Sequence, residues 1–316
     1  MSTVVITETL APACADWLAQ RFNVVWCAHD DPNVNSHLST AEALVVRTYT
    51  IVNAALLDAA PNLRVIGRAG VGLDNFDLDA CRKRGVRVVY TPDANTQAVV
   101  EYVLGLMLDY YRPRTRLDGT ESTDQFLELR KTEVGLQLAD LTLGIVGLGR
   151  IGKRMAALGH LLGMNVIGCD LLPEADLRKA LPDVPFEFVD HASLYARSDI
   201  VTIHTDGRAE NRHMIGARAL AHFRPEAMFI NAARGMLVSD DDLAAWLRAN
   251  PGAHASIDVH DPEPPPPGTH PLQGLSNAWL MPHLASRTDT ALANMSWVVR
   301  DIAAVLEGKE PQFAVV

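Results

Sequence analysis

Cysteine is scarce in this chain: four residues, Cys14, Cys27, Cys81 and Cys169, occur among 316, and none are in Cys-x-x-Cys spacing. That excludes a disulfide framework and a cysteine-based zinc site, and it fits small buried thiols in a reducing cytoplasm. A positive charge balance is also missing. The net charge of −10 argues against nucleic acid or an anionic membrane as a partner, while a local arginine cluster can still take a small anionic substrate. No apolar run reaches the ~20 residues of a membrane-spanning helix. The start, Met1 to Thr7, lacks a basic leader region and reads as a strand. Internal repeats, low-complexity tails and heptads are absent. The Pro262–Pro267 stretch is too short for a linker and reads as a rigid loop. His254, His260 and His270 lie near Asp258 and Asp261 but have neither helical i,i+4 nor finger spacing, so no metal site is expected.

The remainder describes an ordinary globular protein of two domains, or one large one, with 48% hydrophobic and 21% charged residues. Short apolar runs at 4–6, 24–26, 43–46, 64–66 and 86–89 alternate with helical segments such as 13–21 and 78–84, the pattern of a small open α/β unit with a parallel sheet. A long apolar helix is predicted over 96–111, then a charged arm over 112–138. Further strands are predicted at 143–146, 165–168, 200–203, 227–230, 255–258 and 279–281. A closing helix over 290–306, with nothing after it to pair with, is expected to cross back onto the first unit. The fold class is therefore α/β with two open parallel-sheet domains. The predicted boundaries are 1–97 and 284–316 for the outer domain and 98–283 for the inserted one, with the catalytic cleft expected between them at the carboxyl ends of the strands.

Gly147-Leu148-Gly149-Arg150-Ile151-Gly152 falls between a strand and a helix, as a dinucleotide-binding turn requires. Gly147 permits the tight turn, Gly149 lets backbone approach a pyrophosphate, and Gly152 lets helix pack on strand. The phosphates then meet unpaired amides at the positive end of the helix dipole. The next strand ends at Asp170, placed for a ribose hydroxyl. Leu171, Leu172 and Pro173 follow it, with no arginine ready for a 2′-phosphate, which favours NAD over NADP.

Three residues past three later strands complete a chemical set. Arg234 can hold a carboxylate and a neighbouring keto oxygen in fork geometry. His283 can exchange a proton with a forming alkoxide near neutral pH. Glu263 can fix the imidazole tautomer. Each taken alone has a bland reading as a strand-end arginine, a structural loop histidine or a solvated acid; the three at successive strand ends are more economically one site.

These settings, with Gly67-Arg68-Ala69-Gly70-Val71-Gly72-Leu73-Asp74-Asn75, the Thr91–Thr96 segment, Glu101 and Gly308-Lys309, closely resemble the D-isomer-specific 2-hydroxyacid dehydrogenases over nearly the whole chain. The resemblance is nearest to the short phosphoglycerate dehydrogenase branch without a regulatory domain. It implies a Rossmann nucleotide-binding domain inserted into a flavodoxin-like substrate domain, a homodimer, and catalysis by Arg234, Glu263 and His283. It implies that the amides of Gly70, Val71 and Gly72 hold the substrate carboxylate. Arg150, Ile151, Asp170, Thr205, Ala232 and Asp258 then line the NAD site with the glycine turn, and Ser286 stands with them. Arg47 and Arg68, with Arg130 as a further candidate, are implied to face a second anionic group on the substrate, which is 3-phosphoglycerate or 3-phosphohydroxypyruvate in that branch. The alternatives are a hydroxypyruvate, glyoxylate or general 2-oxo acid reductase and, in another class, an NAD-sensing corepressor-like binding protein. Departures from the family pattern are Asp206-Gly207 after His204-Thr205, Ala98 where serine is common, and Ser286 where glycine is common.

Overall fold

Runs of Val, Ile, Leu and Ala, buried on both faces, build two all-parallel sheets in this protein, whose computed structural model describes all 316 residues. Strand runs of this kind require helices on both sides. The chain forms two units, Met1–Thr96 with Ser286–Val316, and Gln97–Ala285.

The first unit opens with β1 (Thr3–Ile6), α1 (Pro12–Ala19), β2 (Asn23–Trp26), α2 (Val34–Leu38), β3 (Ala43–Val46), α3 (Ala54–Ala59), β4 (Val65–Arg68), α4 (Leu78–Lys83) and β5 (Arg87–Tyr90). Its strand order is β2-β1-β3-β4-β5, the flavodoxin-like arrangement.

After α5 (Thr96–Tyr111) and α6 (Thr123–Thr132) come β6 (Thr142–Val146), α7 (Arg150–Leu161), β7 (Asn165–Cys169), α8 (Glu174–Ala180), β8 (Glu187–Phe188), α9 (His191–Arg197) and β9 (Ile200–Ile203). They are followed by α10 (Ala217–Leu220), β10 (Met228–Asn231), α11 (Asp240–Ala249), β11 (His254–Ile257) and β12 (Ala278–Leu280). The order β12-β11-β10-β9-β6-β7-β8 puts β6 between β7 and β9, so the connections leave it in opposite directions. The carboxyl end of β6 is thus the switch point at which such sheets bind ligands.

The chain then returns to the first unit through α12 (Asp289–Ser296) and α13 (Val299–Leu306). On α13, Val299, Ile302, Ala303 and Leu306 are buried at i, i+3, i+4, i+7 spacing, and they join the cluster holding Val4, Val45 and Val65.

Four features differ from the sequence expectations. β8 is too short to carry a period of two. The closing helix is two helices, interrupted where Trp297 meets Trp17 edge-on at 6.1 Å and the β-branched Val298-Val299 pair begins. The chain after it does pair: Tyr90 N–H donates to the Phe313 carbonyl and Val315 N–H to the Val88 carbonyl. The charged arm contains α6, started by a Ser122–Gln125 capping box and burying no residue. No helix is long and apolar enough to cross a membrane.

Candidate active site

Within the second unit, the glycine turn leaves β6 with Gly147 at φ +90°, a conformation that favours glycine. Its N–H donates to the Cys169 carbonyl at 2.9 Å. A Cβ on Gly147 would lie 2.8 Å from the His204 carbonyl oxygen, and one on Gly152 only 1.9 Å from the Gly147 oxygen. Around Gly149, the residue that caps the start of α7, a Cβ would meet nothing within 4 Å. No side chain caps this helix start. Open space in front of uncapped first-turn amides is what a pyrophosphate needs, so these residues fit a dinucleotide.

Arg150 is exposed and Ile151 half-buried at the head of α7. Asp170, just past β7, accepts from Leu148 N–H at 2.6 Å and Leu172 N–H at 2.8 Å, tying the turn to the neighbouring strand end. Thr205 follows β9, and its hydroxyl donates to the Met214 sulfur at 3.6 Å. The unusual Asp206 forms a two-point pair with Arg208 and accepts from Asn211 Nδ2 at 3.1 Å, closing a small loop. Arg208, whose pKa is raised chiefly by its bond to Asp206, is thereby committed to that carboxylate.

The remaining candidates line the same sheet edge. His283 Nδ1 and Glu263 Oε1 are 2.6 Å apart, with side chains 37% and 35% exposed, so both reach the surface. Burial raises the Glu263 pKa, but the bond to His283 and the His260 amide outweigh it and hold the carboxyl below its usual range. The glutamate is therefore ionised and only accepts, so Nδ1 carries the proton. His283 has φ +56°, which is uncommon for a residue with a Cβ. Its N–H donates to the Asp258 carbonyl at 2.8 Å, and the Asp258 carboxylate accepts from Leu284 N–H at 2.8 Å and Ala285 N–H at 2.9 Å. Tyr102, kept protonated by burial and by the Asp258 charge, donates its hydroxyl to that carboxylate at 3.1 Å. Asp258 is 0% exposed; in this structure it braces the histidine loop from behind instead of presenting its carboxylate to a ligand.

Arg234 follows β10, with one guanidinium N–H on the Ala233 carbonyl at 2.7 Å. The buried Asn231 side chain holds this loop, accepting from Ala233 N–H and donating to the Arg234 carbonyl. Ala232 is half-buried in the same turn, and Arg130 is exposed in the last turn of α6.

The first unit carries the other candidates. Gly70 N–H donates to the Arg68 carbonyl at 2.8 Å, which corrects the expectation that all three loop amides face a ligand; those of Val71 and Gly72 have no partner within the protein. Arg68 folds onto this loop, with Nε on the Gly72 carbonyl at 2.9 Å and Nη1 on the Ala69 carbonyl at 3.0 Å. These two bonds brace the loop. Arg47 donates to the Thr9 carbonyl at 3.3 Å. Burial and the Arg287 charge lower the pKa of its guanidinium. Ser286 is half-buried, and its carbonyl accepts from Thr288 N–H.

Sequence reasoning missed Asn231, Tyr102, Arg287 and Glu8. Glu8 accepts from the amides of Arg47, Thr48, Tyr49 and Thr50 at 2.8–3.2 Å and so shapes the loop after β3. The sequence signal was slight: an acid just past β1, at the sheet edge that carries the loops.

Residues 104–285 match the family model described as D-isomer specific 2-hydroxyacid dehydrogenase, NAD binding domain. A D-3-phosphoglycerate dehydrogenase of Archaeoglobus fulgidus is 35% identical over 268 residues, covering 84% of this chain and 50% of its own. The chain spans about half the length of that relative and of its Methanocaldococcus jannaschii counterpart. A glyoxylate reductase of Aeropyrum pernix is 31% identical over 318 residues, covering 98% of this chain and 94% of its own. Among solved structures, the TT0316 protein from Thermus thermophilus superposes with a TM-score of 0.84 at 31% identity, covering 99% of this chain and all of that one.

Proposed function

Given that the chain belongs to the D-isomer specific 2-hydroxyacid dehydrogenase family, we propose that it interconverts a D-2-hydroxy acid and its 2-oxo acid with NAD. The observation that carries this reading is the 2.6 Å contact of His283 with Glu263 on the sheet edge that also bears the glycine turn. When bound, NAD supplies the hydride acceptor or donor. The turn amides and Gly149 hold its pyrophosphate, and Asp170 takes a ribose hydroxyl. On the second unit Arg234 is the cation for the substrate carboxylate, and on the first the partnerless amides of Val71 and Gly72 are donors suited to an anion. In reduction, the protonated His283 gives its Nε2 proton to the carbonyl oxygen as that oxygen gains charge. In oxidation, the neutral ring takes the proton back from the hydroxyl. Glu263 keeps Nδ1 protonated in both directions and stabilises the imidazolium.

For the substrate we assign 3-phosphohydroxypyruvate, with Arg47 and Arg287 as the cations for its phosphate. A second reading, a reductase of hydroxypyruvate or glyoxylate, is favoured by Arg68, whose fork goes to its own loop. Homodimer formation belongs to the same proposal, supported by α6, which exposes Phe126 and Leu127.

The test is NADH and NADPH oxidation by the purified protein with 3-phosphohydroxypyruvate, hydroxypyruvate, glyoxylate and pyruvate in parallel. Turnover with NADH and a strong preference for the phosphorylated acid is the expected result. A flat or reversed ranking selects the second reading, and no turnover with any acid overturns the assignment.

A further inference from the structure

Two histidines outside the proton-exchanging pair are joined in a chain whose direction can be read from its ends. His260 Nε2 lies 2.8 Å from the Met281 carbonyl oxygen, His260 Nδ1 lies 3.1 Å from His270 Nε2, and Leu272 N–H meets His270 Nδ1 at 3.3 Å. A carbonyl only accepts, so His260 Nε2 bears a proton. The Leu272 amide only donates, so His270 Nδ1 is bare. With both rings neutral, His270 Nε2–H must donate to His260 Nδ1, and all four ring nitrogens are used once. A further proton on His260 would set two N–H groups face to face at 3.1 Å.

This chain ends at the two catalytic loops. Met281 lies two residues before His283, and the backbone N–H of His260 points to Glu263 Oε2 at 3.4 Å. The backbone of His260 has little room to shift, because a Cβ on Gly235, the residue after Arg234, would fall 2.0 Å from the His260 carbonyl carbon. We propose that His260, held by His270 as its Nε2–H tautomer, is a positioning residue that fixes the spacing of Glu263 and His283 by gripping both of their loops. The charged surroundings are mixed. Asp240 Oδ2 stands 3.5 Å from His270 Nε2, Asp261 is paired with Arg212 at 2.9 Å, and Asp241 and His213 act on Asp240. Burial lowers the pKa of His270, which favours the neutral ring that the chain requires.

The catalytic part of this inference rests on the dehydrogenase reading, so the experiment carries a readout that does not. Long-range ¹H–¹⁵N correlation spectra of the histidine-labelled protein at pH 8 are expected to show Nε2 protonated and Nδ1 bare on both rings. His260→Phe is expected to move the His283 ring signals and lower kcat about ten-fold, with NADH affinity unchanged, as a displaced proton donor does. His260→Gln, whose amide can still donate to Met281, is expected to restore the His283 signals and bring kcat to within about threefold of the parent. A bare Nε2 on His260, or a His260→Phe protein with parental His283 signals and parental kcat, overturns the proposal. If the parent protein reduces no 2-oxo acid, the dehydrogenase reading fails, and the tautomers and the His283 signals still decide this one.

Discussion

A histidine at φ +56° has left the backbone region that L residues prefer, at a cost on the order of 1–3 kcal/mol. Three hydrogen bonds to one buried aspartate offset that cost. His283 donates to the Asp258 carbonyl, and the two residues after it donate to the Asp258 carboxylate. The ring is thereby delivered to Glu263 at 2.6 Å by a backbone that the protein holds under tension, and the carboxylate at Nδ1 leaves Nε2 as the nitrogen for the proposed proton exchange. His283→Ala removes the proposed proton donor while leaving the glycine turn intact. The variant is expected to lose about 10²–10⁴ in kcat, the range for a general acid–base group, with NADH binding retained by fluorescence titration. Turnover equal to the parent would remove His283 from the mechanism.

At the scale of elements, the strand–turn–helix of β6 and α7 makes separable demands on its glycines. Gly152 is required by packing, since its Cβ would strike the Gly147 oxygen, whereas Gly149 faces open space. Gly149→Ala is therefore expected to leave the melting temperature of the unliganded protein within about 2 °C or raise it slightly. It should still weaken NADH binding about ten-fold or more, because the added methyl occupies the phosphate approach. Gly152→Ala is expected to lower both. If Gly149→Ala bound NADH as tightly as the parent, the phosphates would lie elsewhere. This turn was legible in the sequence because it is local, as were the strands other than the two-residue β8, each an apolar run bounded by polar loops, and the strand-end positions of Arg234, Glu263 and His283. What was not legible depends on distance along the chain. Tyr102 meets Asp258 across 156 residues, and Glu8 caps amides some 40 residues away. Arg68 turns back on its own loop, a side-chain path that residue type does not encode. The histidines of 254–270 read as a chance cluster. The strand β11 separates them, burying His254 against Tyr110 while sending His260 on to His270.

For the whole molecule, stability toward acid is set first by histidines that are buried uncharged. His254 is 2% exposed, stacked at 4.4 Å on Tyr110 and hydrogen-bonded to Ser256, and burial pushes its pKa down to about 4. Burial takes His204 lower still, to about 3. In the unfolded chain both titrate near 6.5. Below that value the unfolded state binds protons that the folded state refuses, so stability is complete above pH ~6.5 and falls as pH drops toward 4, where the folded ring also protonates and the slope ends. The depressed carboxylates, Glu8 and Glu263 among them, act in a lower window. Burial opposes ionisation of Glu8, but the four loop amides outweigh it, so its contribution is lost only as pH falls below the ordinary glutamate range. Asp240, raised to about 6 by burial, works in the opposite direction and adds stability as pH falls through 6. The His254 contribution can be isolated by difference. Between pH 7.5 and 5 it alone is expected to cost the parent ~2 kcal/mol, a cost that His254→Asn escapes whatever it loses in stacking. Urea denaturation of both proteins across that range should therefore show their stability gap closing by about that amount. Parallel curves would mean that His254 is charged in the folded state.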